Sequence, residues 1–508
     1  MRSPRPLGSS LGSKTEYMAV ATSVLASLLL AVPCAWAHAA GSAPAPRAAL
    51  TGARMSASSS ASSVGVVAPT KPASAADAAA SSAAAADSVA ADRLGGTGGA
   101  TVWSEFGALA AETGATNLGQ GFPDWQPPDF VVDAAHWALG EGVHQYTRPA
   151  GHPPLTEVLS RRYSHHLERT IDPMAEVAIT VGASQALYLC LQALLNPGDE
   201  VLLPEPAFDL YYGQIKLAGG RVRPVPLAVD AESGRWSVDV DALAEAAATG
   251  KPRLLILNSP HNPTGTAFSP DELRAIADVV RRHPNLLVLS DEVYKYTVYA
   301  EDARHFHFAS LPGMFDRTVT VSSAGKTFSI TGWQAGWCVG PARLIKPIQT
   351  LLPFVQFCVS APMQHALSRV LCEADQPYEG HASYYEWLRQ MLRQKRALLE
   401  EGVRRAGMEP MVGQGGITLM ADTSKIEVPE KYLLETTPAA PDGVTRDWAL
   451  CRYLAIEGGV IAIPASPFFS DANKHLGADY VRFAFCKGDD TLRLAGDKMD
   501  SLFNGGKA

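Results

Sequence analysis

Hydrophobic positions along this chain change their spacing many times, and the changes mark out its elements. Short apolar runs at Val177 to Val181, Asp199 to Leu203, Leu254 to Leu257, Leu286 to Leu289 and Thr318 to Val321 are rich in Val, Leu and Ile or Thr and end in small or turn-forming residues. Runs of that length and composition predict buried strands. Helical patterns alternate with them. Trp103 and Phe106 lie on an amphipathic helix ending at Gly114, Gly182 to Leu187 opens a helix running to Leu195, and a further helix covers about Asp271 to His283. Beyond Pro341 come a long helix through Lys346 and a second over about Tyr384 to Ala406, followed by a smaller lobe.

Up to about Gly99 the pattern is absent. Runs such as S-A-S-S-S-A-S-S hold too few large apolar side chains to offset the entropy of ordering, so residues 1–99 are expected to form a disordered, low-complexity leader. Met18 to Val32 is apolar, comes after Arg2, Arg5 and Lys14, and precedes the small-residue site Ala35-Trp36-Ala37, as a signal-type segment does. The stretch beyond Ala37 is rich in Ser and Ala and carries no acid until Asp77, as in an organellar transit peptide. A cleaved leader addressing a plastid or mitochondrion is expected, with the secretory pathway or a membrane anchor as alternatives. The remaining chain divides into 100–144, the start of the small domain with a substrate loop, 145–345, a large domain, and 346–508, a linker helix with the rest of the small domain.

With 508 residues and 47% hydrophobic content, the chain can bury two lobes. A net charge of −8 without a basic stripe excludes a nucleic-acid footprint. Cys34, Cys190, Cys338, Cys358, Cys372, Cys451 and Cys486 show no CxxC or CxxH spacing, which argues against a structural zinc site and a disulfide framework. No metal is expected.

The candidate chemistry begins at S-S-A-G-K-T-F-S-I-T-G-W, from Ser322 to Trp333. Ser322, Ser323, Ala324 and Gly325 let a planar group approach the backbone, and Lys326 stands just past a strand end. A partly buried lysine near other cations sheds its charge readily and can form a Schiff base. Other turns leave strands in the same way: G-A-S-Q after Val181, P-E-P-A-F-D from Pro204, N-S-P-H-N-P-T-G from Asn258 and S-D-E-V-Y from Ser290. A small-residue turn opening a helix is a phosphate cradle, and a carboxylate at a strand's end is where open α/β sheets place ligand-binding groups. Arg482 sits inside the alternating apolar strand Y-V-R-F-A-F-C, where a buried fork suits a carboxylate.

These motifs, in this order over about four-fifths of the chain, resemble the class I/II pyridoxal-phosphate-dependent aminotransferases, and more narrowly their kynurenine aminotransferase, glutamine transaminase K and methionine aminotransferase branch. The resemblance implies an α/β fold, the type I pyridoxal-phosphate transferase fold, with a large mixed, mostly parallel sheet flanked by helices and a smaller α+β domain. It implies pyridoxal 5′-phosphate as cofactor and transfer of an amino group from an aromatic, sulfur-containing or kynurenine-type L-amino acid to a 2-oxo acid. Lys326 becomes the catalytic, cofactor-bearing lysine. Asp291 pairs the ring nitrogen, Tyr294 and Asn262 the phenolic oxygen, and Phe208 stacks on the ring. Ala183, Ser184, Gln185 and Ser323 hold the phosphate, with Tyr146 reaching across from a partner subunit, which implies a homodimer sharing its active sites. Arg482, Gly121 and Asn262 take the substrate carboxylate. Trp103 walls the pocket, and Trp125 adds to its aromatic character.

One position departs from the pattern. Eight residues after Lys326 the family carries a basic residue on the phosphate, and this chain has Gln334. Losing a charge-assisted contact weakens cofactor retention by ~1.5–3 kcal/mol unless another group compensates. Two alternatives stand beside transamination: a cysteine-S-conjugate β-lyase using the same site, and a degenerate, non-catalytic protein of this fold.

Overall fold

The computed structural model describes residues 91–95 and 98–505; residues 1–90 and 96–97 of the expected leader lie outside the described residues, as does its signal-type segment. Among the described residues no helix is long and apolar enough to cross a membrane.

Seven strands build the large sheet: β1 (Val177–Val181), β2 (Glu200–Glu205), β3 (Arg221–Pro226), β4 (Pro252–Asn258), β5 (Leu287–Asp291), β6 (Thr318–Ser323) and β7 (Ala335–Val339). Their order is β1-β7-β6-β5-β4-β2-β3, with β7 antiparallel to both neighbours and the other pairings parallel. The sheet is therefore mixed and mostly parallel, as expected. Its strands are apolar on both faces because both are covered. Successive residues serve different cores: Val201, Leu203, Leu254 and Ile256 pack with the helix Gly182–Leu194, whereas Leu202, Leu255 and Leu257 face the other side.

The helices begin and end where the sequence signals them. Pro270–Arg282 opens with Pro at its first turn and a reciprocal Ser269/Glu272 capping box, and Val102–Thr113 stops at Gly114, whose φ of 63° is left-handed. The boundary expected at 345/346 falls inside the helix Ala342–Val355. Its Ile345 and Ile348 share a core with Leu254 and Val319, so that helix belongs with the large sheet.

A second sheet of four antiparallel strands comprises β8 (Glu409–Pro410), β9 (Thr418–Asp422), β10 (Ile463–Pro464) and β11 (Tyr480–Ala484), in the order β8-β9-β11-β10. Arg482 lies on central β11, opposite Met420 and Ile463. The chain near residue 117 is sewn to this part: Thr116–Asn117 pairs in parallel with Val460–Ile461, and the Ala484 amide donates to the Leu118 carbonyl at 2.6 Å. That stitching carries the loop beginning at Gly119 to the side of Arg482.

Candidate active site

Four parallel strands, β2, β4, β5 and β6, point their C-terminal ends at one cavity of about 630 Å³. Consecutive strands of a parallel sheet end at one edge, so residues far apart in the chain gather there. Asn258 and Asp291 are adjacent in the β4/β5 register. The Asn258 side chain donates to the Asp291 carbonyl at 3.0 Å and accepts from the Asn262 amide at 2.8 Å, which fixes the turn presenting Asn262.

Asp291 is buried at the floor of the cavity. Tyr211 donates its hydroxyl to Oδ2 at 2.7 Å and the Val293 amide donates to Oδ1 at 3.2 Å. Burial pushes its carboxyl up to about 6, against the pull of those two donors. Tyr294, also buried, is raised by the same desolvation.

Lys326 projects from the loop after β6, and its Nζ donates to the Gly121 carbonyl at 2.6 Å. Burial holds its ammonium below the ordinary lysine value, and the nearby Arg482 and Lys487 add to the effect while Cys486 opposes it. A lysine so placed gives up a proton more readily, as an amine nucleophile must.

Arg482 is buried with its fork engaged: Nη2 donates to the Gly119 carbonyl at 2.7 Å and Nη1 to Asn262 Oδ1 at 3.2 Å. The rings of Trp103 and Phe468 lie 5.1 and 5.0 Å from the guanidinium carbon. Nε is buried without a hydrogen-bond partner among the described residues. Burial lowers this guanidinium to about 10, and Tyr294 and Asp209 counteract it. An incoming carboxylate would satisfy the orphan donor and restore the lost charge stabilisation.

The opposite rim is the start of the helix Gly182–Leu194, where Gly182, Ala183 and Ser184 line the cavity. Gly182 has a φ of 70°, and a Cβ there would lie 2.5 Å from Gln334 Oε1. Gln334 itself sits in the left-handed region at φ 50°, with Nε2 donating to the Thr331 carbonyl at 2.7 Å.

Most of the residues singled out by sequence meet here: Trp103, Gly121, Ala183, Ser184, Phe208, Asn262, Asp291, Tyr294, Ser323, Lys326 and Arg482 all line the one cavity. Three lie elsewhere. The Gln185 side chain accepts from the Val181 amide at 2.7 Å and so closes its own turn. Trp125 donates to Ser329 Oγ at 3.1 Å and lies under Lys395. Tyr146 is 81% exposed and packs edge-on against Phe357. Conversely, Asp209, Tyr211 and Thr331 line the cavity although the sequence does not single them out. Tyr211 lies in the first turn of the helix Leu210–Leu217, three residues after Phe208.

His261, in the turn after β4, is buried and bonded to Thr264 Oγ1 at 2.9 Å; burial pushes it down to about 3, so it stays neutral. Glu292, His305 and His307 bring possible ligand atoms within 4.8 Å of one another. Their contacts already satisfy Glu292: Oε2 pairs with both histidines and Oε1 accepts from Ser290 Oγ at 2.9 Å.

The family model for aminotransferases of class I and II matches residues 113–493. The chain belongs to that family. Its relatives include a kynurenine–oxoglutarate transaminase of Dictyostelium discoideum, 42% identical over 417 residues covering 80% of this chain and 94% of that one. Among solved structures, N-succinyldiaminopimelate aminotransferase from Mycobacterium tuberculosis is 37% identical with a TM-score of 0.72, covering 82% of this chain and 100% of that one. YbdL from Escherichia coli, whose structure identified a methionine aminotransferase function, is 29% identical with a TM-score of 0.71, covering 81% and 99%. The fold is thus the type I fold of pyridoxal-phosphate-dependent transferases, and this aminotransferase is an enzyme that moves amino groups from amino acids to 2-oxo acids with pyridoxal phosphate.

The cavity fits that cofactor on its own chemistry. It offers a lysine whose ammonium is depressed by burial, a buried carboxylate at the end of β5, an aromatic side chain at Phe208, and a helix N-terminus for an anion.

Proposed function

We propose that this aminotransferase takes the amino group from an aromatic, sulfur-containing or kynurenine-type L-amino acid and delivers it to a 2-oxo acid. The observation that carries the substrate class is the aromatic lining of the cavity that cofactor and substrate would share: Trp103, which lies over Arg482, and Phe122 offer an apolar side chain its contacts. The named activities of the Dictyostelium and Escherichia coli relatives support it.

Bound pyridoxal phosphate supplies an electron-withdrawing ring that stabilises negative charge at the amino acid's Cα. The chain's own residues do the rest. Lys326 Nζ would hold the cofactor and, when not bonded to it, would be the base that takes the proton from the substrate's Cα. Asp291 would provide the counter-charge for a protonated ring nitrogen. Tyr294 and Asn262 would hold the phenolic oxygen, and Phe208 would face the ring. Ala183 and Ser184 at the helix start, with Ser323 at the end of β6, would hold the phosphate. Arg482, with the Gly121 backbone and Asn262, anchors the carboxylate that donor and acceptor share.

A homodimer belongs to this reading. Tyr146 and Phe357 are exposed at 81% and 52%, and Phe354 at 85%, an apolar surface that a second copy would cover while Tyr146 reached its phosphate. The reading also includes a metal-free site and an organellar destination set by the leader.

The test is product analysis. Leader-free protein with pyridoxal phosphate is given L-kynurenine, L-methionine or L-phenylalanine and a neutral 2-oxo acid, and the matching 2-oxo acid of each donor is quantified. Formation of those products supports the reading. Ammonia and pyruvate from a cysteine S-conjugate, without transamination, would replace it with β-elimination.

A further inference from the structure

Glu205 ends strand β2 of the large sheet and is fully buried, yet its hydrogen-bond partners are all uncharged. Four donors surround its carboxylate. Oε1 accepts from the Tyr212 hydroxyl at 2.6 Å and the Ser470 amide at 2.8 Å, and Oε2 accepts from the Ser470 hydroxyl at 3.1 Å and the Asn473 carboxamide at 2.8 Å. A carboxylate is kept inside a protein only where such donors replace its water. Burial and the adjacent Glu205 push the Tyr212 hydroxyl well up, so it stays a donor. Three of the four donors belong to the segment 466–473, which follows β10 of the second sheet. Glu205 therefore fastens that segment to the large sheet.

The segment carries Phe468. Its carbonyl accepts from the Ala207 amide at 2.6 Å and shares the Tyr212 hydroxyl with Glu205, at 3.0 Å. Its ring lies 5.0 Å from the Arg482 guanidinium carbon and stands edge-on to Trp103, with centroids 6.4 Å apart. Trp103 in turn donates its indole N–H to Asp209 Oδ2 at 2.5 Å. Both rings against Arg482 are thus held from one stretch, Glu205 to Asp209, which also presents Phe208 to the cavity. A guanidinium fork grips a carboxylate only when its plane is aimed, and precise aim comes from the packing around it. With Nη1 and Nη2 tied to Asn262 and Gly119, the two rings limit the freedom that is left.

We propose that Glu205 is a positioning residue for the carboxylate anchor: by clamping 466–473 to the large sheet it seats Phe468 against Arg482 and so sets the affinity for the substrate's carboxylate. The proposal rests on the transaminase reading above and deepens it.

The probe is 3-phenylpropionate, which offers a carboxylate and an aromatic side chain but no amino group to transfer. Its Kd is measured by calorimetry on the enzyme loaded with pyridoxal phosphate, beside cofactor affinity and steady-state kinetics with L-methionine. Glu205→Ala should weaken the probe roughly tenfold and raise KM for L-methionine by a similar factor, with kcat and cofactor affinity each moving less than about threefold. Phe468→Leu should do the same, and adding Glu205→Ala to it should change Kd by less than about twofold, because residues acting along one path are not additive. Asn473→Ala removes one donor and leaves the carboxylate in place; it should weaken the probe about threefold and completes the same cycle with Phe468→Leu should Glu205→Ala fold poorly. A loss falling equally on probe, kcat and cofactor would mark Glu205 as general support and overturn the proposal, as would unchanged probe binding or factors that multiply in the double variant. A wild-type protein that neither binds the probe nor reacts with L-methionine overturns the transaminase reading and the proposal with it.

Discussion

The hydroxyl of Tyr211 donates to Asp291 Oδ2 at 2.7 Å, joining the two residues at the cavity floor. Asp291 is fully buried, so each donor it keeps decides how much charge it can carry. Tyr211→Phe removes one of two donors. The variant is expected to lose ~1.5–3 kcal/mol of stability, most of it where Asp291 is ionised. Urea denaturation of the cofactor-free protein checks this: the deficit should grow from pH 5 to pH 8. An equal deficit at both would show that the hydroxyl serves packing alone.

The same carboxylate links stability to pH. Its folded value of about 6 exceeds the ordinary 3.8, so the folded state holds a proton that the unfolded chain has released. This group therefore contributes stability at low pH that is lost as pH rises from about 4 to about 6, a difference of roughly 3 kcal/mol. Asp447, also raised to about 6, acts in the same direction, whereas Glu292, held low by its histidines, acts in the opposite one. The cleaner readout is the gain in Tm on adding pyridoxal phosphate, whose ring nitrogen offers Asp291 a countercharge. That gain should be larger at pH 7.5 than at pH 5. A gain that shrinks with rising pH would contradict the pairing.

Arg482→Lys keeps a charge and loses the fork. Lysine cannot reach Gly119, Asn262 and a carboxylate together, so KM for amino acid and 2-oxo acid alike should rise roughly 10–100-fold. Steady-state kinetics in both directions test it. A rise confined to one partner would mean that the two do not share this anchor.

Gln334 stands where the family resemblance calls for a base, and its carboxamide is spent on Thr331 and pressed against Gly182. Gln334→Arg should tighten pyridoxal phosphate by roughly 10–100-fold, the reverse of losing a charge-assisted contact. Fluorescence titration of the cofactor-free protein measures it. Unchanged affinity would show that the helix N-terminus and its neighbours already neutralise the phosphate.

Much of this is legible in the sequence because strand ends and turns are local. The run Leu254 to Leu257 and the turn N-S-P-H-N-P-T-G announce a strand and its exit, and the parallel register then sets Asn258 beside Asp291. Arg482 is legible as an arginine inside an apolar alternation. Asp209 and Tyr211 do not stand out, since an acid and a tyrosine after a proline turn carry no strong local signal. Their meaning comes from Trp103 and Asp291, 106 and 80 positions away. The expected domain boundary splits the helix Ala342–Val355, whose apolar face holds it in the core beside Val319. Tyr146 enters through family resemblance, and in the single chain it packs on Phe357.

Lys326 tests the central claim most directly. The leader-free protein with pyridoxal phosphate should show the visible absorbance of lysine-bound cofactor, and L-methionine should convert it to the amine form while releasing a 2-oxo acid. Lys326→Ala should show neither the bound-lysine band nor the conversion, with cofactor still retained non-covalently. If Lys326→Ala kept both the band and the conversion, another residue would carry the cofactor, and the assignment of this cavity as the transaminase site would be wrong.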